Sequence, residues 1–171
     1  NPDSALYSGD FRASEKLFAQ LSQVAGRAGR ADKPGEVLVQ TAFPGHPLFQ
    51  ALIAHDYESW ARTLLVERDQ AGFPPFVYQV LLRAEGKQEA EVYAFMQQAR
   101  DAAKGLNMQV EIYGVVPAAL PRRANHMRVQ LLVQSDARKN LQQFLRAWGP
   151  LLDVLPAKGL RWSLDVDPLE F

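Results

Sequence analysis

The 171-residue sequence contains no cysteine. That excludes disulfides and thiolate metal sites, and it points to a reducing compartment. Its three histidines, His46, His55 and His126, are scattered without metal-ligand spacing, so no metal site is read from them. No apolar run approaches the roughly 20 residues needed to cross a bilayer, and no signal peptide opens the chain. An excess of either charge is missing as well, since 19 basic residues face 19 acidic ones. Any contact with nucleic acid must therefore come from local clustering, because no global field attracts it. The sequence begins at Asn1, not Met, and its abrupt opening is read as the start of a fragment.

What is present can bury a core: 47% of residues are hydrophobic, enough for one domain or two small ones. Asp10 can cap a helix whose apolar positions Phe11, Leu17, Phe18, Leu21, Val24 and Ala28 follow the helical period. Gly26 and Gly29 weaken its end and "ADKPG" stops it. "EVLVQT" (Glu36–Thr41) reads as a short strand. Pro47 fits the first turn of a helix over His46–His55. Asp56 caps another, with Tyr57, Trp60, Leu64 and Leu65 on one face and an end near Gly72. The paired prolines of "GFPPF" cannot be helical, which sets a domain boundary there.

Beyond that boundary the alternation is regular. Phe76–Gly86 predicts a strand. Lys87–Lys104 predicts a helix with Val92, Phe95, Met96, Ala99 and Ala103 inward, closed by Gly105. Gln109–Val116 and Met127–Ser135 predict strands joined by the loop "PAALPRRANH". Ala137–Trp148 predicts a helix broken at Gly149–Pro150 and continuing as "LLDVL", and Leu160–Pro168 a last strand. The order β-α-β-β-α-β is that of a split, ferredoxin-like α+β domain. The expected division is 1–45, a helical connector 46–72, and the ferredoxin-like domain 73–171.

Three constellations carry candidate chemistry. Gln23–Arg30 reads Q-V-A-G-R-A-G-R, with Arg27 and Arg30 at i, i+3 on adjoining helical positions. A planar guanidinium can hold two oxygens of a transferring phosphoryl group, although a lone R-x-x-R is equally two solvated arginines. "PRRANHMR" concentrates Arg122, Arg123 and Arg128 between two strands; from Pro117 to Asn140 five basic residues face one acid, Asp136. Such a cluster suits phosphate contacts, which position a protein without reading sequence. Asp165 and Asp167 alternate on the last strand, so both carboxylates point to one face; with no third ligand or base nearby, a structural role is expected. Trp60, Trp148 and Trp162 occupy apolar faces and are assigned to cores.

The extended string is more specific than its arginines. Q-x-x-G-R-x-G-R resembles motif VI of superfamily 2 helicases. "DFRASEKLFAQLSQVAGRAGRADKPGEVLVQT" is similar to the primosomal replication-restart helicases, the primosomal protein N′ family. The resemblance continues through "FPGHPLFQAL", "FPPF", "LLRAEG", "GVVPAALPRR", "QLLVQS" and "LDVDP", covering essentially the whole chain. It implies the end of a second helicase lobe followed by a C-terminal domain similar to ribosomal protein S10. It also implies an ATP-dependent 3′-to-5′ DNA helicase that rebuilds replication forks through primosome assembly. Arg27 and Arg30 would then act on the γ-phosphate, with Gln23 in support. The intact protein would use ATP, Mg²⁺ and structural Zn²⁺. This chain lacks the phosphate-cradling G-x-x-x-x-G-K-[ST] loop and should be inactive alone, with no cofactor of its own.

By the same likeness, Arg122, Arg123 and Arg128 would touch branched or single-stranded DNA. Arg138 and Gln142, four apart on one helix face, match residues that receive the acidic C-terminal tail of single-stranded-DNA-binding protein. Other primosome proteins are expected partners, and a bacterial cytoplasmic, nucleoid-associated location is implied. A second reading stays open: a stand-alone nucleic-acid- or protein-binding module on a ferredoxin-like sheet. Against its RNA form, "MRVQLLVQS" lacks the aromatic string of RNA-recognition modules.

Overall fold

The computed structural model describes residues 2–28 and 35–169. The chain falls into two compact units, Asn1–Phe73 and Pro74–Phe171. No helix among the described residues is long and apolar enough to cross a membrane.

The first unit is helical: α1 (Asp3–Leu6), α2 (Ala13–Ala28), α3 (Pro47–Ala54) and α4 (Tyr57–Ala71). Sequence chemistry sets their ends. Asp10 Oδ1 accepts the Arg12 N–H at 2.9 Å in the turn that leads into α2. Pro47 opens α3, where the missing N–H costs nothing, and the His46 side chain accepts from Leu48 N. Asp56 Oδ1 caps α4 through the Ser59 N–H at 3.0 Å, and Gly72, at φ 65°, ends it in the left-handed conformation that glycine adopts without strain. Leu17 and Phe18 of α2 form one small core with Leu48 and Phe49 of α3 and Trp60 and Leu64 of α4. Arg68 ties α4 to α2: its Nη2 lies 2.6 Å from Glu15 Oε2, and its guanidinium lies over the Phe11 ring.

Two expectations for this unit fail. Glu36–Thr41 makes no strand; it is extended chain without a ladder. Burial still alternates, with Val37, Val39 and Thr41 half-buried and Glu36, Leu38 and Gln40 exposed. The period-two pattern is real, but a strand needs a neighbour to receive its N–H and C=O groups, and the described residues of this unit provide none. The apolar stripe of α2 is also buried only in part, since Val24 remains 54% exposed.

The second unit follows the predicted order: β1 (Tyr78–Gly86), α5 (Glu89–Gly105), β2 (Glu111–Arg123), β3 (His126–Ser135), α6 (Arg138–Asp153) and β4 (Leu160–Val166). The four strands form one antiparallel sheet in the order β2-β3-β1-β4. This α+β arrangement is consistent with a ferredoxin-like domain. Alternation sets the two faces: Val80, Leu82 and Ala84 of β1 and Met127, Val129, Leu131 and Val133 of β3 pack against α5 and α6. The helices supply Val92, Phe95, Met96 and Ala99, then Leu141, Phe144, Trp148 and Leu152. The Trp148 indole N–H donates to the Ala99 carbonyl at 2.9 Å, so its one polar atom is satisfied in the core.

Four local expectations are corrected here. "PAALPRRANH" is no loop: β2 runs to Arg123, and the chain reverses at Ala124 and Asn125, both at positive φ as a tight hairpin turn requires. Pro117 and Pro121 both lie within this strand. They are tolerated because β2 is an edge strand whose pairing with β3 is irregular between Pro117 and Arg122. Likewise α6 continues through Pro150 to Asp153. The lost hydrogen bond and ring clash cost about 3 kcal/mol, and full burial of Leu152 beyond the proline offsets much of that. Gly105 is the last residue of α5, and the positive φ falls two residues later at Asn107. Finally, β4 ends at Val166; Asp167 turns to φ 54° and its N–H donates to the Gln79 carbonyl, so Asp165 and Asp167 do not share a strand face.

Candidate functional site

The arginine motif occupies the C-terminal end of α2. Gln23 and Arg27, one turn apart, are both exposed there. Arg30 lies outside the described residues. Beside this helix end runs a groove of about 1010 Å³, lined by Leu17, Gln20, Leu21 and Val24 of α2 and by 37–42 of the extended segment. That segment is anchored at its far end: the Asp3 carboxylate accepts from the Thr41 hydroxyl and from the Ala42 N–H. These hydrogen bonds, the Thr41 one foremost, hold the Asp3 carboxyl below its usual range. A guanidinium and an amide at a helix end can hold phosphate oxygens. Zinc, by contrast, has no fit in this chain: it carries no thiolate, and the described residues contain no cluster of three or more His, Asp or Glu able to hold a metal.

In the second unit, strand register divides the three arginines of "PRRANHMR". Arg122 pairs across the ladder with Met127, a residue of the helix-covered face, and its Nη2 lies 2.7 Å from Glu89 Oε2 at the start of α5. Arg123 pairs with His126, which alternates with Arg128 on the opposite face of the sheet, open at this end and buried further along at Gln79 and Leu81. The structure thus brings Arg123 and Arg128 to one face and turns Arg122 to the other. Arg138 is the first residue of α6 and is exposed; Gln142 follows one turn later, half-buried, beside the inward stripe of Leu141, Phe144, Trp148 and Leu152.

The sheet face of Arg123 and Arg128 also holds Arg83, Glu85 and Arg161, which no sequence motif singles out. Glu85 pairs in register with Arg128 of β3 on one side and with Arg161 of β4 on the other. Arg83, two residues along β1, lies 2.7 Å from Asp165 of β4. Arg83, Glu85, Arg128 and Arg161, with Ser163 and Ala118, line a cavity of about 290 Å³. At the other end of the same face a chain of amides runs from Gln79 to Gln134 at 3.1 Å and on to Glu111 at 2.9 Å. Next to it, burial and then the hydrogen bond to Glu111 raise the Tyr113 phenol above its ordinary range. A signal for the arginine end existed in the alternating polar positions of "LLRAEG", "MRVQ" and "LRWSLD". Only the register shows that they meet.

The sequence profile of the "Primosomal protein N C-terminal domain" matches residues 69–169. The chain is 40% identical over 98% of its length to the replication restart protein PriA of Haemophilus influenzae, of which it covers 23%. The Synechocystis protein of the same name is 36% identical over 98% of the chain and is covered to 20%. The Bacillus subtilis protein is 30% identical over 84% of the chain and is covered to 18%. The chain therefore spans about a quarter or less of the length of these curated relatives. A domain match across the whole four-stranded sheet, with likeness that continues through the arginine motif of α2, makes this chain a member of the primosomal protein N C-terminal domain family.

Proposed function

We propose that the chain is the C-terminal part of a replication-restart DNA helicase, with the end of the second ATPase lobe in Asn1–Phe73 and a DNA-handling domain in Pro74–Phe171. The observation that carries this reading is the reach of the likeness: relatives named for replication restart align over 98% of the chain, motif included. The first unit fits such a role. Gln23 and Arg27 face solvent at a helix end, and the neighbouring segment has no ladder partner among the described residues, with Leu38 87% exposed. In the intact protein, Gln23 and Arg27, with Arg30, would meet nucleotide held by a phosphate loop on another part of the chain. The transferring group carries charge over its oxygens, and the arginines would stabilise that charge. Bound Mg²⁺ would neutralise phosphate charge beside them.

The second unit, in this reading, holds the phosphate backbone of forked or single-stranded DNA without reading its sequence. The exposed start of α6, with Arg138 and Gln142 on one face, is proposed to receive the terminal carboxylate of the tail of single-stranded-DNA-binding protein. The test is kinetic. In the intact protein, Arg27→Ala and Arg30→Ala are expected each to lower ATP turnover by about 10³-fold, the low end for arginines at a transferring phosphoryl group, with DNA affinity nearly unchanged. The 171-residue chain by itself should turn over no ATP. Near-normal turnover in either variant would make that residue a surface arginine.

A further inference from the structure

On the open sheet face, two kinds of arginine stand side by side. Arg83 is engaged, with Nη1 at 2.7 Å from Asp165 Oδ2. Arg128 and Arg161 make only long ion pairs: Nε of the first is 3.9 Å from Glu85 Oε2, and Nη1 of the second is 4.0 Å from Glu85 Oε1. Both separations exceed hydrogen-bonding distance, so one carboxylate stands between two guanidiniums without bonding either. Neither guanidinium donates a hydrogen bond to any other described residue. The backbone fixes this spacing, because Arg128, Glu85 and Arg161 are direct register neighbours on β3, β1 and β4, about 4.8 Å apart strand to strand. Arg161 is largely exposed and Arg128 and Glu85 are partly so, which leaves the gap open to solvent through the 290 Å³ cavity.

We propose that this gap is a phosphodiester site, in which Glu85 stands where a backbone phosphate would sit and is displaced when nucleic acid binds. A phosphodiester brings two free oxygens, one for each guanidinium, and can make the short charge-assisted hydrogen bonds that Glu85 does not make. The Ser163 hydroxyl, on the same wall, adds a neutral donor. The positive charges form a strip, from Arg123 beside the hairpin turn through Arg128 and Arg161 to Arg83. A strip matches an anionic chain with repeating charge; a single carboxylate of an acidic peptide would fill one gap and leave the rest idle. Against these four cations the face carries only Glu85 and Asp165 at this end. The choice of nucleic acid rests on the reading of Pro74–Phe171 as a DNA-handling domain. The residues come from the register alone.

The sharpest test is a gain of affinity, which a misfolded variant cannot mimic. Single-stranded DNA oligonucleotide is titrated into the 171-residue chain, its Glu85→Gln variant, and the Arg128→Gln/Arg161→Gln double variant, over a salt series. Removing one negative charge about 4 Å from the bound phosphate should tighten binding by about fivefold, as the Coulomb energy at that distance in bulk water gives. The double variant should flatten the plot of log affinity against log salt by about 0.7 units, the loss of one phosphate contact on a single strand. Lys104→Gln, a cation removed from exposed α5, should change neither quantity. If the unaltered chain binds DNA but Glu85→Gln and the double variant leave affinity and slope alone, this surface is overturned while the DNA-handling reading stands. If the unaltered chain shows no salt-dependent DNA binding at all, both fall. A poly-glutamate peptide that binds the same residues more tightly than DNA would also overturn the proposal, in favour of an acidic protein partner.

Discussion

In Pro74–Phe171, alternate residues of β3 from Met127 to Val133 are all buried, and α6 buries its stripe from Leu141 to Leu152. In Asn1–Phe73, the stripe of α2 is buried at Leu17 and Phe18 but open at Val24, and the extended segment leaves Leu38 in solvent. Among the described residues one core gathers sixteen buried residues and the other six. The difference follows from what each unit has to pack against. A four-stranded sheet satisfies its own ladders and takes two helices on one face, so every inward side chain meets a partner. The four helices of the first unit have no sheet among the described residues to pack against. The second unit closes its core on itself, and among the described residues the first leaves Val24 and Leu38 in solvent.

The comparison breaks most decisively in the larger core. Trp148→Ala should destabilise the second unit by about 3–5 kcal/mol, the usual loss for a large aromatic truncated in a core, and should orphan no charge. Urea unfolding with hydrogen exchange would place the loss; protection lost from α2–α4 instead would mean that the two cores are not independent. In the smaller unit one ion pair carries more weight. Arg68 is mostly buried, pairs with Glu15 at 2.6 Å, and covers Phe11, which stacks on Phe73 at 4.9 Å. Arg68→Ala should cost that unit about 1.5–3 kcal/mol, as for a hydrogen bond between charged groups, with α5 and α6 unaffected in the same exchange experiment.

The smallest effect concerns the extended segment and is pH-dependent. Hydrogen bonds from Thr41 and Ala42 lower the Asp3 pKa below its ordinary 3.8. A depressed carboxylate contributes stability that is present above its unfolded value and lost as pH falls through the lower folded value. The anchor at residues 41–42 should therefore hold at neutral pH and release only below about pH 3.8. Asp3→Asn should make it insensitive to acid. Amide shifts of Ala42 across an acid titration would show this, and a transition unchanged in Asp3→Asn would mean that another group controls the segment.

Several elements of this protein are legible in order along the chain. Caps and breakers are local chemistry, so Pro47, Asp56 and Gly72 mark helix ends without tertiary knowledge. Periodicity likewise marks the inward stripes of α5 and α6, because burial on one face requires that spacing. Prolines were read as local breakers too, and there the reading failed. Pro121 is tolerated by an edge strand and Pro150 by a helix with a buried residue beyond it, and both contexts are set by neighbours distant in sequence. The same limit applies to the sites. The arginine string of α2 is contiguous, so residue order alone exposes it. The cluster of Arg83, Glu85, Arg128 and Arg161 joins three strands, and only antiparallel register makes Glu85 the neighbour of both arginines. Sequence by itself determined the order of elements, their caps, the inward stripes and the motif on α2, because each is written within a few turns of chain. Tertiary structure alone decided which strands lie at an edge, which apolar faces stay open, and which charges meet across the sheet, because pairing between distant strands sets all three.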